Sequence, residues 1–169
     1  SKTMNFNTFL IMPPAYYKYG DEDVINFYSK IINEVNECKI ILYNFEKLSG
    51  YKFSESCVEK LNSKFPKHII GIKDSTYNLY EKLNIKNFSV FPGSESKLLN
   101  GLNLGCKGII TATTNVTGSL AREVYDNFLN NLPQDSNKKL CDVRASFEKY
   151  NLISALHTLM SQKNQIFEN

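Results

Sequence analysis

Residues 68–75 read HIIGIKDS, and the chemistry of this sequence starts at the lysine that closes the apolar run. A buried strand has to end in something polar, and Lys73 meets that need with no further role. The same placement also suits a reaction. An amine held in apolar surroundings has its ammonium form disfavoured, so the free base becomes available as a nucleophile. Attack on a keto carbonyl gives an imine, and the cationic imine draws electrons from the neighbouring carbon. A group that moves protons is then needed close by. Tyr43, at the end of the run KIILY at 39–43, is the candidate. A packed ring with a wet hydroxyl accounts for Tyr43 as well.

Other reactive residue types do not assemble. Cys38, Cys57, Cys106 and Cys141 stand far apart with no C-x-x-C spacing, and His68 and His157 are isolated. No structural zinc is expected, and the thiols read as reduced and buried. His68 opens the strand that Lys73 closes, and His157 falls in a helical stretch; both read as structural or exposed. Gly93, Gly101, Gly105 and Gly108 do not make a phosphate-binding G-x-G-x-x-G. There is no carboxylate pair for glycoside hydrolysis and no Ser-His-Asp set.

The elements that must position Lys73 and Tyr43 follow from the hydrophobic period. TFLIM at 8–12 reads as a buried strand, ended by Pro13-Pro14. Asp21 is expected to cap a helix in which Val24, Phe27, Tyr28, Ile31, Ile32 and Val35 keep helical spacing. KIILY is the second strand, and Ser54 caps a helix through Val58 and Leu61. HIIGI is the third strand, followed by a short helix through Leu79 and Leu83. FSVF at 88–91 is the fourth, followed by a helix through Leu98, Leu99 and Leu102. GIIT at 108–111 is the fifth, SLAREVYDNFLNN is a helix, and from Asp135 onward only helices are expected. Buried strands alternating with helices make a parallel α/β sheet.

Two architectures fit five such units. One is a complete doubly wound sheet, and the other is part of a (β/α)₈ barrel, whose usual length is ~250 residues. The opening SKTMNFNTFLIM resembles the tail of a helix entering a strand, and the chain stops at Asn169 just after a helical segment. Both ends are read as cut. In either architecture function gathers at the C-terminal ends of the strands. Those ends carry PPAYYK, YNFEKLSG, KDST, PGSES and TATTN: hydroxyls and amides, the inward Lys73, and the carboxylate of Glu95.

The 169 residues hold one domain with a substantial core, and 42% hydrophobic with 22% charged content is ordinary for a globular protein. Twenty basic against 17 acidic residues give +3, with no basic block beyond Lys138-Lys139, so no nucleic-acid partner is expected. No apolar run approaches ~18 residues and no secretory pattern opens the chain, so neither a membrane partner nor export is expected. The expected location is the cytoplasm.

Taken together, LYNFEKLSG, GIKDST and GCKGIITATTNV, in this order, resemble the dihydrodipicolinate synthase/N-acetylneuraminate lyase family. MPPAYYK resembles the family's T-P-Y-Y strand end. The resemblance runs from about residue 6 to 165. It implies a class I, pyruvate-type Schiff-base aldolase on a (β/α)₈ barrel. Lys73 then matches the Schiff-base lysine and Tyr43 the tyrosine that shuttles protons beside it. Ile110 matches the residue whose backbone carbonyl lies near the keto acid. Gly93, Ser94 and Glu95 match the segment at the distal part of the substrate, with Ser75 as a further hydroxyl. Tyr16 matches a tyrosine that reaches a neighbouring subunit. The imine needs no metal or organic cofactor. The implied partners are a small keto-acid substrate and, for the whole protein, further copies in a homodimer or homotetramer.

Two departures shape the expectation. The synthases carry an arginine for the substrate carboxylate where this chain has Leu48, which cannot form the bidentate clamp. The expected activity is therefore carbon–carbon lysis or aldol addition on a sugar acid, with dihydrodipicolinate synthesis for lysine as the alternative. The family also opens with three further βα units, including a threonine pair for the pyruvate carboxylate, which nothing here matches. The expected fragment is thus strands four to eight of the barrel, residues 1–132, followed by a truncated helical segment, residues 133–169. On its own it is expected to be weakly active or inactive. A five-stranded flavodoxin-like binding module and a non-catalytic scaffold built on the aldolase fold are the competing classes.

Overall fold

The computed structural model describes residues 6–35 and 37–162. The helix tail read into the first four residues lies outside them. Four strands, β1 (Thr8–Ile11), β2 (Lys39–Asn44), β3 (Ile69–Asp74) and β4 (Ser89–Pro92), form one sheet in the order β1-β2-β3-β4. All three pairings are parallel. A doubly wound sheet reverses its strand order at a switch point. This sheet does not reverse.

The alternation of side chains sorts the sheet into two faces. Ile40, Leu42, Ile69, Ile72 and Val90 are buried under α1 (Asp21–Glu34) and α3 (Glu55–Lys64), in a core with Tyr28, Ile32, Phe53, Val58 and Leu61. Ile41, Tyr43, Lys73 and Phe91 point to the opposite face and are half-buried. The third strand needs Gly71 where it meets β4, because a Cβ there would lie 2.4 Å from the Ser89 carbonyl oxygen.

The helix starts show which local signals won. Ser54 caps α3 as expected, accepting from Cys57 N at 3.0 Å. Asp21 does not cap α1. Gly20 holds that position, its N–H donates to Asp23 at 2.9 Å, and Asp21 instead accepts the Tyr51 and Ser54 hydroxyls at 2.7 Å each. The short α2 (Glu46–Ser49) ends at Gly50 with φ 72°, the left-handed conformation open to glycine.

Two expected elements are absent. No helix forms between β3 and β4: residues 75–88 run as turns, held by Leu83 N donating to Leu79 O at 2.9 Å. Tyr77 takes φ 62°, outside the right-handed helical region, while the Asp74 carboxylate accepts the N–H groups of Thr76, Tyr77, Leu79 and Tyr80 and fixes the turns. The segment at 108–111 does lie beside β4, but it does not become a strand. Lys107 N donates to Val90 O and Ile110 N to Pro92 O, while Pro92 has no N–H to return. The proline therefore breaks the reciprocal ladder that a fifth strand requires.

The remaining helices form a second layer. A 3₁₀ turn (Glu95–Lys97) leads into α4 (Leu98–Asn103), which is followed by α5 (Thr114–Leu129), α6 (Asp135–Phe147) and α7 (Leu152–Ser161). Leu98, Leu102, Ala121, Val124 and Leu140 make their core. No helix among the described residues is long and apolar enough to cross a membrane.

Candidate active site

Tyr43 and Lys73 occupy paired positions on neighbouring strands, so the sheet register alone brings them together. The Lys73 amine lies 4.0 Å from the centre of the Tyr43 ring, an amine–aromatic contact, and Phe91 is the paired residue on the other side. Tyr43 also stacks on Phe45 at 5.9 Å. Neither the Lys73 amine nor the Tyr43 hydroxyl is bound by another side chain among the described residues. The arrangement offers a nucleophile and a phenol on one half-open face, which is what imine formation with proton transfer requires.

The strand ends around this pair are fixed by a buried polar network. Asn44 donates to Asp74 and to Asn78, at 2.8 Å each, and accepts from Phe53 N at 3.2 Å. Asp74, fully buried, also takes the backbone N–H groups of Thr76, Tyr77, Leu79 and Tyr80. One carboxylate thus ties the residue after the lysine to the whole following loop. Sequence reasoning passes over Asp74. Its signal is a carboxylate in phase with the buried face of an apolar strand, two residues after Ile72.

The other expected site residues fall in four places. Gly93 and Ser75 meet directly: a Cβ on Gly93 would lie 2.2 Å from Ser75 Oγ, so a larger residue there requires Ser75 to move. Ile110 sits beside β4, its N–H spent on Pro92 O at 3.2 Å. Tyr16 is 92% exposed, with φ 85°, and packs edge-on against Tyr17. Leu48 is 58% exposed on α2. His68 stands at the opposite end of β3 from Lys73, its Nδ1 2.8 Å from Cys38 O, and His157 is exposed on α7.

Ser94 and Glu95 are buried, with no surface of Glu95 open at all. Thr113 and Thr117 donate their hydroxyls to one oxygen of Glu95, and Thr111 to the other at 3.2 Å. Arg144 Nε lies 3.6 Å from that second oxygen and donates to Ser94 Oγ at 3.2 Å. The first turn of α5 supplies Thr117 and the positive end of a helix dipole, which suits an anion. Removing the cation from such a pair leaves a buried charge and costs about 3–5 kcal/mol. Sequence reasoning misses Arg144 too. Its signal is periodicity: Leu140, Arg144 and Phe147 share one face of α6, and the outer two are buried.

Burial pushes the Tyr77 phenol up, so this tyrosine near Ser94 stays a donor. The Lys97 amine lies 5.8 Å from the centre of its ring.

Comparison with known proteins adds the family. The model of the dihydrodipicolinate synthetase family matches residues 1–167. The 2-dehydro-3-deoxy-D-gluconate/2-dehydro-3-deoxy-phosphogluconate aldolase of Picrophilus torridus is 28% identical over 165 residues, 93% of this chain and 60% of that protein. The 4-hydroxy-tetrahydrodipicolinate synthase of Hydrogenobaculum sp. is 33% identical over 121 residues, 69% of this chain and 41% of the relative. The solved structure of 2-keto 3-deoxygluconate aldolase from Picrophilus torridus superposes with a TM-score of 0.80 at 25% identity, covering 92% of this chain and 58% of the other. The chain spans at most 60% of the length of these relatives. It belongs to the dihydrodipicolinate synthetase family.

Proposed function

We propose that this member of the family carries the reacting residues of a Schiff-base lyase. Lys73 attacks the carbonyl of pyruvate or a related 2-keto acid, water leaves, and the imine withdraws electrons from the adjacent carbon. Tyr43 moves the proton that bond making or breaking requires. The observation that carries this reading is the 4.0 Å approach of the Lys73 amine to the Tyr43 ring across paired strand positions. The imine is itself the electron sink, so the reading calls for no metal or organic cofactor.

The unreversed strand order, with α1 and α3 on one face, supports a sector of a (β/α)₈ barrel completed by chain beyond these residues. A homo-oligomer of the whole protein, with the exposed Tyr16 at a contact, belongs to the same reading. On the substrate side, the exposed Leu48 offers no clamp for a second carboxylate, which favours a hydroxylated sugar acid. The synthase reaction stays as the second reading because one of the relatives is a synthase. Offering an aldehyde that bears a carboxylate against one that bears only hydroxyls separates the two.

The test is borohydride trapping with pyruvate, read by intact mass and peptide mapping. The protein from the whole reading frame is expected to gain one reduced pyruvate adduct on Lys73, absent in Lys73→Ala. A folded protein that gives no adduct would overturn the reading. The 169-residue chain alone is expected to turn over weakly or not at all. Full turnover by it would overturn that part.

A further inference from the structure

The Arg144–Glu95 pair lies at the end of β4, next to the strand that carries Lys73, yet Arg144 comes from α6 in the second layer. Glu95 is fully buried, and Arg144 is the cation that faces it. Three threonines hold the carboxylate from the other side. Only Nε of the guanidinium is engaged, by Ser94 Oγ and toward Glu95. Its terminal nitrogens have no hydrogen-bond partner among the described residues, and the side chain keeps 15% of its surface.

Arginine has donors only. Nε–H therefore occupies one lone pair of Ser94, whose Oγ also lies in hydrogen-bond contact with Ser96 Oγ at 3.0 Å, with either hydroxyl able to donate. Ser96 is exposed, and Tyr77 keeps 38% of its surface open. Ser94 and Glu95 are sealed below, so the groups a ligand meets at this corner include the Arg144 guanidinium, Ser96 and Tyr77, with the Lys97 amine 5.8 Å from the centre of the Tyr77 ring. A guanidinium beside two hydroxyls that can donate or accept fits a chain of hydroxyl groups.

We propose that Arg144 is a specificity-determining residue: held by Glu95, it offers its terminal N–H groups to hydroxyl oxygens at the distal end of the substrate. This rests on the Schiff-base reading above, because the distal end is defined by the carbon that Lys73 activates. Glu95 is then a positioning residue that aims Arg144 and does not itself touch the substrate. The helical segment after the sheet becomes part of substrate selection.

The experiment uses the protein from the whole reading frame and compares two three-carbon aldehydes, glyceraldehyde and propanal, in condensation with pyruvate. They differ in two hydroxyls. Arg144→Met is expected to lower the preference for glyceraldehyde by about tenfold or more, through KM more than kcat. The pyruvate adduct at Lys73 should still form on trapping. Arg144→Lys, which keeps a charged donor, should restore part of the preference. If Arg144→Met fails to fold with Glu95 left unpaired, the double variant Glu95→Gln/Arg144→Met removes both charges and carries the same expectation. An intact adduct with an unchanged glyceraldehyde preference overturns this inference alone, and leaves Arg144 as a pin for α6. No adduct in the unsubstituted protein overturns the Schiff-base reading and this inference with it.

Discussion

Asp74 divides five donors between two oxygens. Asn44 Nδ2 and the N–H groups of Thr76 and Tyr77 reach Oδ1, while those of Leu79 and Tyr80 reach Oδ2. An amide has one accepting edge and one donating edge. Asp74→Asn therefore sets its own NH₂ against either three donors or two, whichever way it turns. We expect it to cost about 3 kcal/mol in denaturant unfolding, since buried donors left unpaired cost about 1–3 kcal/mol each and relaxation recovers part. Pyruvate trapping at Lys73 should weaken with it, because the loop after the lysine loses its anchor. A loss below about 1 kcal/mol would show that water replaces the carboxylate. This residue holds the turns in which the spacing of Leu79 and Leu83 reads as a helix that does not form. The period is helical, but Tyr77 turns left-handed at φ 62° and the backbone N–H groups on either side of it converge on the one carboxylate.

Among the elements, β3 and β4 are held close by two glycines that differ in what blocks them. At Gly71 the obstacle is the Ser89 backbone carbonyl, 2.4 Å from where a Cβ would sit, with no side chain able to yield. At Gly93 the nearest atom is the Ser75 hydroxyl, at 2.2 Å, which a substitution can remove. Gly71→Ala is expected to destabilise by about 2–3 kcal/mol, as overpacking does, with no second-site rescue at Ser89. Gly93→Ala should cost a similar amount, and Ser75→Ala should recover part of it; Ser75 Cβ and Cα, at 3.0 and 3.1 Å, limit the recovery. Urea midpoints of the single and double variants decide the matter, and equal rescue at both sites would refute the distinction. The same strand ends with Pro92, whose missing N–H keeps 108–111 out of the ladder although its composition is that of a strand.

At the scale of the whole molecule, the core holds its thiols and phenols neutral. Burial pushes the Cys57 and Cys106 thiols up to about 11 from an ordinary 9.0, and raises the Tyr28 and Tyr51 phenols as well. A raised folded pKa of an acid contributes stability that is fully present below the unfolded value and lost as pH rises through the folded one. Thermal midpoints should therefore hold up to about pH 9 and fall between about 9 and 11, with the tyrosines extending the loss upward. Cys57→Ala should flatten the fall across that window. An unchanged slope would assign the alkaline loss to other groups. Thiol reagents should meet Cys141 first, because Cys38, Cys57 and Cys106 are buried.

The residues themselves fixed four strands and most of the helices between and after them, the buried faces of β2 and β3, the cap at Ser54, and the placement of Lys73 and Tyr43 at strand ends, since these follow from local periodicity. Strand-end position already put Tyr43 beside Lys73 as a candidate, family motifs gave the two their expected roles, and the register pairs them. Tertiary structure decided what depends on partners distant in the chain. Thr113, Thr117 and Arg144 lie 18, 22 and 49 residues from Glu95. They meet it because α5 and α6 fold over the end of β4. Asn44 and Asp74, 30 residues apart, meet because parallel strands bring like ends together. A sequence shows which side chains are polar and in phase with a buried face. Only the fold supplies the partner that makes burying each of them tolerable.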